Sequence, residues 1–206
     1  MTDIAAVTNL QGYYRWHAQF YDLTRWAFLF GRTALIRRAA EQLSPKRILE
    51  IGCGTGKNLA ELARCFPDAE IVGLDLSADM LGKARKKVAI YGPRVSLLEQ
   101  IYDAPVSGGE PFDLIVLSYC LTMINPGYRE VLGFCHQDLS PKGHLAVVDF
   151  HDTEFSWFRR WMGVNHVRMD GQVRVALESL GFNLQSSTVR PAYGGLWRWF
   201  ACLAAR

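Results

Sequence analysis

Three glycines at alternate positions, Gly52, Gly54 and Gly56, join a short apolar segment, Arg47-Ile48-Leu49, to an amphipathic one, Leu59-Ala60-Glu61-Leu62-Ala63. The first segment reads as a buried strand and the second as the opening of a helix. Glycine reaches backbone angles that a Cβ forbids, so the turn between them can be tight and let a ligand touch main chain. Its amides, at a helix N-terminus, are expected to face whatever lies above the strand. The next strand, Ala69-Glu70-Ile71-Val72-Gly73-Leu74, ends at Asp75. A carboxylate at the tip of the second strand of a strand–helix–strand unit is placed to accept both hydroxyls of a ribose. A dinucleotide fingerprint has the same logic but is spaced Gly-x-Gly-x-x-Gly, and the spacing here is Gly-x-Gly-x-Gly, so that signature is not met.

The rest of the chain continues the alternation. Ser77 is an N-cap candidate for a helix over residues 77–87. Residues 94–99 read as a third strand and 112–117 as a fourth, continuously apolar as a strand buried on both faces should be. A helix over 127–139, a fifth strand over 144–148 and a helix over 172–180 that stops at Gly181 follow, with two last strands over 182–189 and 197–204. This order implies an α/β fold with a Rossmann-like, doubly wound, mainly parallel sheet of seven strands. The 206 residues show no repeat and no dividing linker, so one domain is expected over 1–206. Tyr13, Trp16, Phe20, Leu23, Ala27 and Phe30 step by three or four, one apolar helical face within an N-terminal helical cover over 1–42. Ligands of open α/β sheets lie outside the carboxyl ends of the strands, which draws Gly52 to Gly56, Asp75, the end of the third strand and Ser118-Tyr119 around one crevice.

Half the residues are apolar, yet none of the apolar runs approaches the ~18 residues that span a bilayer. Residues 1–10 lack the basic and apolar regions of a signal peptide. The five cysteines form no C-x-x-C pair and no metal-ligand rhythm, so reduced thiols, a cytoplasmic location and no metal are expected. Cys53 reads as a small residue fitting the turn, since no partnering base is visible for a nucleophile. Residues 1–40 carry five arginines against two aspartates, and three arginines follow Glu178 with no acid, around a mildly acidic middle. Basic ends favour an anionic partner or surface. No basic stripe flanks the motifs, which argues against nucleic acid. Clusters at Phe155-Ser156-Trp157-Phe158-Arg159-Arg160-Trp161 and Trp197-Arg198-Trp199-Phe200 suit either a membrane interface or an ordinary aromatic core with solvated arginines.

With Glu50 ahead of the glycines, the run resembles the first motif of class I S-adenosylmethionine (SAM) methyltransferases. The resemblance implies that the turn from Gly52 to Gly56, with Cys53 and Gly54, holds the methionine part of SAM and Asp75 the ribose, and that Glu50 and Asn58 also bind the cofactor. Leu76 and Met80 would flank the adenine, and Ser118 would complete the site. Where many relatives place an adenine-binding Asp, this chain has Ile101 followed by Tyr102. Either Asp103 supplies that contact, or Gln100, Ile101 and Tyr102 hold the adenine by main chain and packing. Tyr21-Asp22-Leu23-Thr24-Arg25, Gly31-Arg32, Gly56-Lys57-Asn58-Leu59, Leu117-Ser118-Tyr119, Thr122-Met123-Ile124 and Val148-Asp149-Phe150 together resemble the bacterial methyltransferases of betaine-lipid synthesis, which trimethylate diacylglycerylhomoserine. Related phosphatidylethanolamine N-methyltransferases share the pattern of Tyr14, Ala18 and Tyr21-Asp22. The resemblance implies an amino-lipid substrate at an anionic membrane surface, peripheral attachment to the inner face of the membrane and a separate upstream enzyme that forms the homoserine lipid. Tyr14, Tyr21 and Tyr119 are the candidates to orient the amine or accept its proton. Arg25 and Arg168 are candidates for the homoserine carboxylate, and His151 for a base or a cap. A small soluble or quinone-type acceptor, and a binding protein without catalysis, are the competing readings.

Overall fold

The computed structural model describes residues 28–206. Helix α1 (Arg32–Gln42) precedes strand β1 (Arg47–Ile51), and α2 (Lys57–Cys65), β2 (Glu70–Asp75), α3 (Ala78–Val88) and β3 (Val95–Glu99) follow. Then come β4 (Phe112–Ser118), α4 (Tyr128–Asp138), β5 (Leu139–Asp152), α5 (Ser156–Val164), α6 (Gln172–Ser179), β6 (Asn183–Ala192) and β7 (Trp197–Ala205). They form a seven-stranded sheet in the order β3-β2-β1-β4-β5-β7-β6. The first five strands are parallel, and β7 lies antiparallel to both β5 and β6. This is the doubly wound sheet that the order of elements implies, with the C-terminal antiparallel hairpin that the resemblance to class I methyltransferases implies.

Local chemistry accounts for most boundaries. Ser77 caps α3, its hydroxyl accepting the Met80 amide at 3.4 Å, while Asp79 in the first turn and Arg85 to Lys87 in the last complement the helix dipole. β1 and β4 are apolar on both faces because both are covered. Leu35 and Ile36 of α1, Leu59 and Leu62 of α2, Leu81 of α3 and Phe158 and Met162 of α5 fill the core on one side. Leu132 and Cys135 of α4 and Val173, Ala176 and Leu177 of α6 fill the other.

Three elements depart from the sequence reading. β5 runs from Leu139 to Asp152, well beyond 144–148, because β7 pairs with it as far as Asp152 opposite Arg198. α5 takes the aromatic-basic cluster as a short helix with only two buried residues, too few to leave a clear periodicity. Phe30 stands in a turn rather than on a helical face, because Gly31 follows it at φ 77 and breaks helical continuity. A Cβ on Gly31 would lie 2.3 Å from the Trp199 ring, so glycine here meets both a steric and a conformational demand. The other residues of that expected face lie outside the described residues.

The strand order reverses between β1 and β4, which is where a crevice opens above an open α/β sheet. Ile51 is level with Leu74 on one side and Leu117 on the other. Gly52, Asp75 and Ser118 therefore emerge side by side from three neighbouring strands.

Candidate active site

Gly52, Gly54 and Gly56 all adopt left-handed angles, φ 69, 53 and 73. At Gly56 the space is also closed, since a Cβ would come within 2.9 Å of the Ala84 Cβ on α3. Four amides of the turn are bound within the protein instead of facing a ligand as the sequence suggests. Gly52 and Cys53 both donate to the Leu74 carbonyl (2.8 and 3.0 Å), and Gly56 donates to the Cys53 carbonyl (3.0 Å). Gly54 donates to Asp75 Oδ2 at 2.8 Å. Asp75 Oδ1 accepts the Ser77 amide at 2.9 Å, so one carboxylate ties the turn to the start of α3. Each oxygen retains a second acceptor position.

The turn walls a cavity of about 270 Å³ together with Leu29, Arg32, Glu50, Asn58 and Ser118, and Lys57 and Lys87 stand exposed at its rim. Glu50 is buried, its Oε1 accepting from the Asn58 amide at 2.9 Å. Its Oε2 has no partner, and neither has the buried hydroxyl of Ser118. Burial pushes the Glu50 carboxyl up to about 8, against the Asn58 hydrogen bond and the positive charge of Arg32. The cavity thus has a buried acid aimed into it and a neutral hydroxyl beside it. That is a site for a cation with several donors, not for a pyrophosphate.

A protein-family profile described as a methyltransferase domain matches residues 48–143. Residues 48–143, just under half of the chain, are thus similar to a methyltransferase domain. Over 134 residues it is 34% identical to a demethylmenaquinone methyltransferase of Thermus thermophilus, a match that takes in 63% of this chain and 60% of that protein's length. The fold is similar to that of the N-methyltransferase NodS of Bradyrhizobium japonicum WM9, solved with S-adenosylhomocysteine, with a TM-score of 0.71, 21% identity and 85% of each chain covered. It is also similar to the 1,6-didemethyltoxoflavin-N1-methyltransferase of Burkholderia thailandensis, with a TM-score of 0.75, 18% identity, and 98% of this chain and 88% of that one covered. At these identities the two structures speak for the fold.

SAM is the cofactor that these matches support, and the cavity fits it. The unpartnered Glu50 Oε2 is the complement of the ammonium on its methionine part. Arg32 and Lys57 supply positive charge for the neighbouring carboxylate. The two remaining acceptor positions of Asp75 suit a ribose diol. Leu76 is half-buried, Met80 is buried in the first turn of α3, and Ile101 is 41% exposed just beyond β3, so apolar surface for an adenine is present at this edge.

The fold brings some sequence candidates elsewhere. Tyr102 is turned away from the cofactor edge: its hydroxyl donates to Asp138 Oδ2 at 2.7 Å and its ring packs on Phe134 of α4. Any adenine contact at this position is therefore through main chain. Tyr119 is not a proton acceptor at the cavity. It is buried at φ 55, its hydroxyl donates to the Phe30 carbonyl at 2.9 Å, and burial holds its phenol well above the ordinary range. It anchors the turn that carries Leu29 and Arg32 to the cavity. His151 lies on the α6 side of the sheet, against Phe200 and Gly171, where burial lowers its affinity for a proton; it does not line the cavity. The Arg168 guanidinium is committed to Asp170 and to Asn125 Oδ1 (3.2 Å), not to a substrate carboxylate. Cys53 is buried and its thiol is pushed up by burial and by Glu50, which suits a wall residue and not a nucleophile. Tyr14, Tyr21 and Arg25 lie outside the described residues. Sequence reasoning did not assign Leu29, Arg32, Lys57 and Lys87 to the cavity; only the quoted Gly31-Arg32 and Gly56-Lys57 pairs touched on two of them.

One supporting network was also hidden. Asp149 is fully buried and accepts from Thr122 Oγ1 (2.5 Å), the Thr122 amide (3.2 Å) and the Phe150 amide (2.8 Å). Burial raises its carboxyl to about 6 in spite of these bonds. They pin the short turn Leu121–Met123 that follows Ser118 and Tyr119, and so hold one wall of the crevice.

Proposed function

We propose that the whole chain is a SAM-dependent N-methyltransferase acting on the amine of a lipid headgroup, trimethylating diacylglycerylhomoserine to a betaine lipid. The observation that carries the donor is the buried, incompletely paired carboxyl of Glu50 in the cavity wall, the complement of the SAM ammonium. The amine acceptor rests on the resemblance of Tyr14, Tyr21 to Arg25 and Ser118 to Ile124. Bound SAM supplies the activated methyl group, so the protein's work is to hold, align and exclude water. The glycine turn and Asp75 fix the donor, and the Tyr119 and Asp149 anchors fix the two walls. Tyr14 and Tyr21, for orienting the amine, and Arg25, for the homoserine carboxylate, belong to this proposal through the resemblance of their segment. So do the inner face of a membrane as the working location and a separate enzyme that forms the homoserine lipid. Phosphatidylethanolamine is the variant acceptor of the same class.

The likeness to the Thermus demethylmenaquinone methyltransferase favours a second reading, a quinone-type acceptor. Mass spectrometry after incubation with SAM, an amino-lipid panel and demethylmenaquinone decides between them. Successive methyl additions to the homoserine lipid support the first reading; methylation of the quinone alone, or of nothing, overturns it.

A further inference from the structure

Helix α5 has two unlike faces. Phe158 and Met162 are buried in the core that also holds Phe150 and Tyr119. Trp157, Arg160, Trp161 and Val164 recur at helical spacing on the opposite side, where Trp157 is 61% exposed, Trp161 51% and Val164 75%. With Ser156 they line a shallow groove of about 560 Å³. Phe155, also exposed, extends the patch, its ring centroid 6.4 Å from that of Trp157.

Two exposed tryptophans one turn apart are poor surface residues for a helix facing water, and such a patch marks an interaction site. The helix itself carries charge of one sign: Arg159 and Arg160 are exposed, and from Phe155 to Met169, between Glu154 and Asp170, the chain carries no acidic residue. Tryptophan with arginine on an amphipathic helix is suited to the headgroup layer, where the indole is half in hydrocarbon and the guanidinium meets phosphate. The helix also sits at the right edge. It follows β5 directly, at the carboxyl ends of the strands, and Phe158 shares a core with Tyr119, the chain neighbour of cavity residue Ser118.

We propose that the outer face of α5 docks the protein on an anionic lipid bilayer, with Trp157 and Trp161 entering the headgroup layer and Arg160 engaging lipid phosphates. This deepens the proposed function, since it rests on an acceptor that resides in the membrane. The test is co-sedimentation of the full chain with vesicles of phosphatidylcholine alone or mixed with phosphatidylglycerol. Parallel runs use Trp157→Ala/Trp161→Ala and Arg160→Glu, with S-adenosylhomocysteine affinity as the control for folding. The expected result is binding to mixed vesicles that weakens roughly tenfold or more in each variant, with nucleoside affinity unchanged. Equal sedimentation of wild type and the tryptophan variant overturns the proposal. So does a wild type that ignores vesicles but forms a dimer that the variant dissolves, which would make a second copy the occupant. If α5-dependent docking stands while no lipid gains a methyl group, the acceptor assignment fails and the docking surface does not.

Discussion

Replacing Glu50 by glutamine removes a carboxyl group that the fold holds at about 8 instead of 4.5, while keeping an oxygen to accept from Asn58. Below pH 4.5 the group is protonated in both folded and unfolded chains and contributes no difference. As the pH rises from 4.5 to about 8, the unfolded chain releases the proton and the folded chain keeps it, so stability is lost through this window and the loss stops above it. A shift from 4.5 to about 8, at ~1.4 kcal/mol per unit, amounts to about 5 kcal/mol. Urea unfolding of both proteins at a series of pH values measures it. Asp149, also raised, loses its contribution between 3.8 and about 6 in both proteins alike, so the difference between the two curves isolates Glu50. The wild type is expected to fall steadily relative to Glu50→Gln across the window. Parallel curves would refute the burial of an ionisable Glu50. A second readout follows from the cavity: a cationic ammonium against Oε2 favours the ionised form, so SAM binding near neutral pH should release a proton. Calorimetry in buffers of different ionisation enthalpy detects that release, and Glu50→Gln should abolish it.

Three further outcomes are expected. Asp75→Ala removes the acceptor of both the Gly54 and Ser77 amides as well as the ribose partner, and should weaken S-adenosylhomocysteine binding by roughly a hundredfold in a calorimetric titration. An affinity within a factor of about three would dismiss the ribose assignment. Tyr119→Phe removes one hydrogen bond, to the Phe30 carbonyl, and should lower stability by about 1 kcal/mol while kcat changes by less than about tenfold. A loss of several orders of magnitude in kcat at unchanged KM would restore Tyr119 as a proton acceptor. Gly31→Ala forces a Cβ toward Trp199 at a left-handed φ, and thermal unfolding should show about 1–3 kcal/mol of destabilisation. An unchanged Tm would mean that the turn before α1 is not clamped as described.

Much of the frame was legible in the residues because its causes are local. An apolar run, a glycine that takes a left-handed φ and a serine N-cap act within a few positions of themselves. β1, the turn, α2, β2 and α3 therefore lie close to where the pattern places them, and the spacing alone separated this turn from a dinucleotide site. What a side chain faces is a different kind of fact. Tyr102, Tyr119, His151 and Arg168 all belong to segments that reach the crevice edge, yet alternation along a strand and packing against α1, α4 and α6 turned each toward another partner. Two amides of the glycine turn, those of Gly52 and Cys53, were bound by the Leu74 carbonyl of a neighbouring strand, a contact that no spacing reveals. The sequence by itself determined the glycine turn and the strand end at Asp75, because glycine angles and strand ends are properties of short segments. Only the tertiary structure decided that Glu50 is a buried acid with one oxygen unpartnered and that α5 presents its tryptophans outward, because burial depends on residues far apart in the chain.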